Sequence, residues 1–315
     1  MTKRPQILLV MEGPLERTPA VLRAISLARR LDALLQLRSF EYLRSLEQAA
    51  RHGFDLEAYL RGRRQRLEEF AGRIREEQVN VECRVIWGRP LAEQIILETL
   101  AFKPDLVIKD TRAETTLNRA FYSTADWRLL SVCPAPLMLV HPRSASVPKH
   151  ILAAVDPLDE HDKPRSLNDD ILATALNLAT QCSAELDVVN VHEFIPPAGE
   201  WEYLGWMPDL TLYGELSKIH AENLYKLGRQ YSVPPGKMHI LHGDPARCII
   251  DFAADRHVDL VVMGSIYRRG LDHLLIGSTA EGVFDHLACD VLVLKPEGFA
   301  AAFAASFEAA KPKAA

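Results

Sequence analysis

The amino-acid sequence repeats itself once, and this repeat limits the folds that the chain can adopt. Four short blocks occur twice, in the same order, within the 315 residues. Since about 100 to 200 residues form one domain, the length and the repeat together predict two domains of one common fold. The paired blocks are residues 7–12 with 151–156, 88–90 with 243–245, 105–108 with 259–262, and 123–126 with 278–281.

The positions of the repeats predict the domain boundaries. We predict a first copy over residues 1–143, a linker over 144–149, a second copy over 150–298 and a flexible tail over 299–315. Pro142 and Pro148 mark the connection between the copies, because proline interrupts regular structure. We expect the two copies to pack as one pseudo-symmetric unit, so that a single chain imitates a dimer. Further dimerisation is left open.

Within each copy, short β-branched runs alternate with longer helical segments. This alternation predicts an α/β fold in which a doubly wound, mostly parallel five-stranded sheet carries helices on both faces. Ligands of such sheets bind beyond the carboxyl ends of the strands. The predicted strands are 6–11, 34–40, 80–86, 106–109 and 137–140 in the first copy, and 151–155, 186–191, 238–241, 260–263 and 291–294 in the second.

Composition narrows the class of protein. Hydrophobic residues make up 48% of the chain and no apolar run approaches the roughly 20 residues of a membrane helix. The first residues lead directly into a predicted strand rather than a secretion signal, and five widely spaced cysteines indicate reduced thiols. A net charge of -5 gives no basis for nucleic-acid binding, and the histidines lack the closed spacing of a zinc site. We therefore predict a cytoplasmic protein without membrane, nucleic-acid or metal partners.

A glycine-containing loop follows the fourth strand of the second copy and leads into a helix. We expect Gly264 and Gly277 to let the backbone approach a ligand closely. Ser278 and Thr279 place hydroxyl groups and unpaired amides at the helix N-terminus, which attracts anions. The segment therefore predicts a phosphate site.

The spacing of this loop resembles the nucleotide signature Gly-x2-Gly-x9-Gly-(Ser/Thr) of the universal stress protein family. The repeat and the predicted strands extend the resemblance over nearly the whole chain. The resemblance implies a small-molecule ligand, ATP or another adenine nucleotide, and a cytoplasmic role in tolerance of stress, including DNA damage. It implies a binding set of Asp156 after the first strand, the backbone near Val191 and His192, and Gly264, Gly277, Ser278 and Thr279 at the ribose and phosphates.

Tyr267 departs from this signature, because it stands where the family has its second glycine. Either the tyrosine is held in a left-handed conformation at a cost of roughly 1 to 3 kcal/mol, or its ring fills the space of the phosphates. Both outcomes weaken triphosphate binding. The ring could instead stack on an aromatic base or line an apolar slot. Arg268 adds a charge that a phosphate can use, although loop arginines are more often simply solvated.

The first copy lacks the signature altogether. Asp110, Ala113 and Ser123 stand where the second copy has Gly264, Tyr267 and Gly277. We expect the carboxylate of Asp110 to repel phosphate and Glu12, which matches Asp156, to be structural.

Two functions fit the sequence. We favour a stress-responsive ligand-binding or interaction protein, because the chain has no nucleophile elbow and no Walker motif and no catalytic residue is assigned. The alternative is a slow ATPase that acts as a nucleotide-dependent switch. The protein partner is not predictable from the sequence.

Overall fold

One continuous sheet passes through both copies of the repeat. The computed structural model describes residues 4–111, 122–157, 165–192, 210–265 and 277–309. The order of its strands is β3-β2-β1-β4-β5-β10-β9-β6-β7-β8. The bounds are β1 Gln6–Glu12, β2 Leu34–Glu41, β3 Asn80–Trp87, β4 Leu106–Asp110, β5 Leu137–Val140, β6 His150–Ala154, β7 Glu185–His192, β8 Met238–His242, β9 Leu260–Gly264 and β10 Asp290–Leu294. The predicted α/β fold class is confirmed.

Helices cover both faces of the sheet. Strand side chains point alternately to the two faces, so that Ile7 and Leu9 join one apolar core while Leu8 and Val10 join the other. None of the described helices is long and apolar enough to cross a membrane. Their bounds are α1 Pro19–Arg30, α2 Arg44–Ala50, α3 Leu56–Arg75, α4 Leu91–Phe102, α5 Thr124–Val132, α6 Arg165–Cys182, α7 Leu210–Gln230, α8 Pro245–Asp255, α9 Ser278–His286 and α10 Phe299–Ala309.

The strand order determines where ligands can bind. In each copy the order reverses at the strand pair β1–β4 or β6–β9, which is the position where doubly wound sheets hold ligands. The two copies meet through β5 and β10, which are antiparallel, whereas the strands within each copy are parallel. The carboxyl ends of the two sets of strands therefore lie at opposite edges of the common sheet.

A buried polar cluster accompanies this junction. Arg23 of α1 and Asp290 at the start of β10 are 1% and 0% exposed, and Arg23 Nη2 lies 2.7 Å from Asp290 Oδ2. The amide of His141 donates to Asp290 Oδ1 at 2.8 Å, and the Ser144 hydroxyl donates to the same oxygen. Arg23 also donates to the carbonyl of Ala145 at 2.8 Å. The connection between the copies is thus held by charges from both of them.

The C-terminal segment differs from the sequence-based expectation. We expected a flexible tail from residue 299, and this is wrong for Phe299–Ala309, which form α10. Phe299, Phe303 and Phe307 recur every four residues and stack along the helix, and Phe303 and Phe307 pack against the core that contains α5 and α9. Residues 310–315 lie outside the described part of the chain.

We predict that Arg23→Met destabilises the protein by about 3 to 5 kcal/mol, because it leaves the buried Asp290 carboxylate without its cation. Burial raises the pKa of Asp290, while Arg23, Ser144 and the His141 amide act in the opposite direction. Without Arg23 the pKa of Asp290 rises further, because the folded state then favours the protonated carboxyl. The variant therefore loses stability as the pH rises through this pKa. Denaturant unfolding at pH 5 and pH 8 should show the larger deficit at pH 8.

Arg29→Met is the matched control on the same helix. Arg29 lies 3.0 Å from Glu77, and the two side chains are 51% and 31% exposed. Its loss should cost less than about 1 kcal/mol, as is usual for surface ion pairs. Equal effects of the two substitutions would contradict a special role for the buried pair.

Candidate functional site

The residues predicted to bind a ligand end neighbouring strands of the second copy. Asp156 follows β6, His192 ends β7 and Gly264 ends β9, and β6 lies between β7 and β9 in the sheet. Val191 precedes His192, and Gly277, Ser278 and Thr279 begin α9. Tyr267 and Arg268 lie outside the described residues. The described members of the predicted set therefore share one edge of the sheet, where the strand order reverses.

The backbone at Asp156 is held by two neighbouring elements. Its amide donates to Asn168 Oδ1 at 2.9 Å, and Asn168 Nδ2 donates to the carbonyl of Asp156 at 2.8 Å. Asn190 of β7 donates to the carbonyl of Val155 at 3.0 Å. Asn168 lies on α6, so side chains from a helix and a strand together position this acidic residue at the strand ends.

The structure gives Gly264 a packing role that the sequence did not suggest. A Cβ atom at Gly264 would lie 2.8 Å from Leu167 Cδ2 and 3.2 Å from Ile171 Cδ1, so the absence of a side chain lets α6 approach β9. Gly277 has φ of -55°, which any residue adopts, and open space around its Cα. Close approach of a ligand is therefore not required to explain Gly264, and at Gly277 close approach stays a prediction.

The cap residue of α9 contributes no side-chain hydrogen bond. Gly277 occupies the cap position, and among the described residues no side chain bonds the first amides of the helix. The matching helix of the first copy, α5, begins with a capping box in which Asp126 accepts from the Ser123 amide at 2.8 Å and Ser123 Oγ accepts from the Asp126 amide at 3.2 Å. Within the described ranges, the first amides of α9 therefore lack the side-chain partners that the first amides of α5 have.

The polar side chains at the end of β4 in the first copy are paired with other groups of the same copy. Lys109 is 2% exposed and lies 2.7 Å from Glu12 and 2.8 Å from Asp126. Burial alone lowers the pKa of Lys109, but the two carboxylates outweigh it and raise the pKa. Asp110 accepts from Thr18 Oγ1 at 2.5 Å and from the amide of Ala20 at 3.0 Å, at the start of α1.

Three histidines gather beside Asp156, and the sequence did not reveal this cluster. The rings of His192 and His220 stack with centroids 4.2 Å apart, and His242 lies edge-on to His192 at 5.9 Å. His220 Nδ1 lies 3.0 Å from Asn190 Oδ1. Among the described residues, the buried Nε2 of His192 has no hydrogen-bond partner. His220 was missed because it lies on α7, far along the chain from β7, and no motif links the two.

The rings of His192 and His220 are held in their neutral form. Burial lowers the pKa of His192, and His242 lowers it further. Burial and then His192 lower the pKa of His220, and Asp156 only partly opposes them. Both imidazoles are therefore uncharged near pH 7, where the reference pKa is about 6.5, and a neutral pair can stack without charge repulsion.

The sequence matches the model of the universal stress protein family over residues 3–141 and again over 148–295. The chain belongs to the universal stress protein family. It is 28% identical to Universal stress protein E of Salmonella typhi, over 95% of this chain and 96% of that protein. It is 26% identical to the Universal stress protein E homolog of Haemophilus influenzae, over 93% and 98%. The crystal structure of a putative universal stress protein from Pseudomonas aeruginosa superposes with a TM-score of 0.76 at 27% identity, covering 97% of this chain and 98% of that one.

These comparisons confirm the resemblance drawn from the repeat and the glycine loop. This universal stress protein consists of two tandem family domains, and the matching relatives share that arrangement over nearly their whole length. Membership supports a role in the stress response. The ligand of this member has to be argued from its own residues.

We predict that Gly264→Ala destabilises the protein by about 1 to 2 kcal/mol, because the added methyl group overpacks the contact with α6. Gly277→Ser should change stability by no more than a few tenths of a kcal/mol, or increase it slightly, since serine caps a helix in open space. Thermal unfolding of both variants in the absence of ligand measures the difference. A destabilised Gly277→Ser would show that space at the α9 N-terminus is more restricted than described.

The histidine cluster predicts a loss of stability in acid. Because the folded-state pKa of His192 and His220 is lowered, the unfolded chain binds protons more readily, and stability falls as the pH drops below about 6.5. His220→Gln should reduce the slope of unfolding free energy between pH 7.5 and 5.5. His52→Gln, an exposed histidine of the first copy, should leave the slope unchanged. An unaltered slope in His220→Gln would contradict the burial argument.

Proposed function

We propose that this universal stress protein acts in the cytoplasm as a stress-responsive module whose second copy binds an adenine nucleotide or another phosphorylated ligand. The observation that carries the proposal is the contrast between α9, whose cap residue Gly277 provides no side-chain bond, and α5, whose N-terminus is closed by Ser123 and Asp126. The first copy has filled its anion position with its own carboxylate. In the second copy the acidic residue of the first turn is Glu281, one position further into the helix than Asp126, and the cap residue Gly277 has no side chain, so we assign the cap position to a ligand.

Phosphate oxygens fit the start of α9. The amides of Ser278 and Thr279 lie in the first turn, and the helix dipole adds a partial positive charge there. The hydroxyl groups of the same two residues can donate further hydrogen bonds. Gly277 leaves open space beside them.

The base of the nucleotide fits the same edge of the sheet, at the ends of β6 and β7. His192 and His220 present neutral stacked rings, against which a planar base can pack. The buried Nε2 of His192 has no partner among the described residues, and such a polar atom is stabilised when a ligand supplies one. Asp156, beside this cluster, can accept from ribose hydroxyl groups or an exocyclic amine.

The proposed cellular role is tolerance of stress, including DNA-damaging agents. It rests on family membership and on the similarity to the proteins named Universal stress protein E. Survival of a deletion strain after ultraviolet irradiation, complemented with wild type or with a variant that cannot bind ligand, tests both the role and its dependence on the site.

We predict that Gly277→Asp weakens ligand binding without harming the fold. The new carboxylate would cap α9 and place a negative charge at the proposed phosphate position, as Asp126 does in the first copy. Calorimetry with ADP and ATP should show affinity reduced by at least about tenfold, since like charges in contact cost more than 1.4 kcal/mol. The melting temperature should be unchanged or higher.

Gly277→Ala is the control at the same position, because alanine adds a methyl group in open space without capping the helix or adding charge. It should keep most of the affinity of the wild type. Two results together would refute the proposed ligand. The wild type would bind neither ADP nor ATP at millimolar concentration, and the purified protein would release no nucleotide on denaturation.

A further inference from the structure

The first copy contains a cleft that its lost nucleotide signature does not explain. The cleft has a volume of about 500 Å³ and opens between the carboxyl ends of β1 and β2, the loop after β3, and α3. This volume lies within the range of small-molecule sites, roughly 300 to 1,000 Å³. Its walls include Phe40, Tyr42, Leu43, Tyr59, Arg63 and Arg89.

The floor of the cleft is a rigid, neutral polar cluster. Arg63 Nε donates to Glu41 Oε1 at 2.5 Å, and the Ser39 hydroxyl donates to the same oxygen at 2.8 Å. Arg63 also donates to the carbonyl of Gly13, and Tyr59 Oη donates to Glu41 Oε2 at 3.3 Å. Both charges of this cluster are paired, and Glu12, which also lines the cleft, is paired with Lys109.

The mouth of the cleft carries a positive charge beside aromatic and apolar side chains. The guanidinium of Arg89 lies over the Tyr42 ring, 5.1 Å from its centroid. Arg89 is exposed and is in no ion pair with any residue of the described ranges. Glu47 is within its electrostatic reach but is already bonded to Tyr42 and paired with Arg51 at 3.5 Å. Leu43 is 50% exposed at the same rim.

This cleft has different chemistry from the matching region of the second copy. The strand register places Glu41 opposite Trp87, where the second copy has His192 opposite His242. An ion pair between Glu41 and Arg63 thus replaces a stack of neutral imidazoles. At the position where the strand order reverses, Asp110 and Lys109 are already bound to groups of the first copy. Within the described ranges, a ligand of this cleft therefore meets no phosphate site at Lys109 or Asp110.

We propose that the first copy binds a small aromatic carboxylate in this cleft, with its ring against Tyr42 and Leu43 and its carboxylate on Arg89. Tyr42 and Leu43 supply flat and apolar contact area at the rim, and Arg89 supplies a donor pair in the geometry that a carboxylate accepts. A cation has no unpaired carboxylate to meet on the floor, because Glu41 is held by Arg63.

The test is isothermal titration calorimetry, in which the full-length protein is titrated with 2-naphthoate and with the neutral analogue naphthalene-2-methanol. Arg89→Gln should weaken 2-naphthoate binding by roughly three- to tenfold, the range of one partly exposed charged contact, and leave the neutral analogue unaffected. Tyr42→Leu should weaken both ligands. Arg256→Gln is the matched control, because Arg256 also lies over a ring, 5.3 Å from the centroid of Phe252, but in the second copy.

The outcomes separate this site from the proposed nucleotide site. Binding of 2-naphthoate that persists in saturating ATP and in Gly277→Asp supports a site in the first copy. No saturable binding to wild type, displacement by ATP, or an equal loss in Arg256→Gln would overturn the proposal. Failure here leaves nucleotide binding by the second copy untouched, since the two sites lie at opposite edges of the sheet.

Discussion

The antiparallel pairing of β5 with β10, reinforced by the buried ion pair between Arg23 and Asp290, is the contact on which the rest of the structure depends. Each copy alone would expose an apolar strand edge and the backbone groups along it, which invites aggregation. Pairing β5 with β10 buries both apolar edges and gives their backbone groups hydrogen-bond partners. The ion pair and the bonds from His141 and Ser144 place charged and polar groups at the same junction, where only one alignment of the copies satisfies them.

This junction also separates the two candidate sites. Because the copies are related by an antiparallel strand pair, their ligand-binding edges face opposite directions. One copy could therefore lose or change its ligand without disturbing the other. The internal pairing of Lys109 with Glu12 and Asp126 shows how the first copy stabilises groups that a ligand would otherwise have contacted.

The two copies differ in how they satisfy the polar groups at the ends of their strands and helices. Parallel strands end in unsatisfied polar groups and helices begin with unpaired amides, and both must find partners. The first copy finds them within its own chain, through Asp110 at α1 and Asp126 at α5. In the second copy the cap residue of α9 contributes no side-chain bond, and the neutral rings of His192 and His220 lie at the same edge of the sheet.

The sequence by itself determined the duplication, the α/β class, the positions of all ten described strands and the edge at which the site residues lie. These properties follow from local patterns: alternation of apolar runs, repeated blocks, and residues that end strands or begin helices. Tertiary structure alone decided that Gly264 makes room for α6, that His220 joins His192, and that Arg23 meets Asp290. Each of these contacts joins residues far apart in the chain, and no local pattern records which distant side chains the packing of helices on a sheet will bring together.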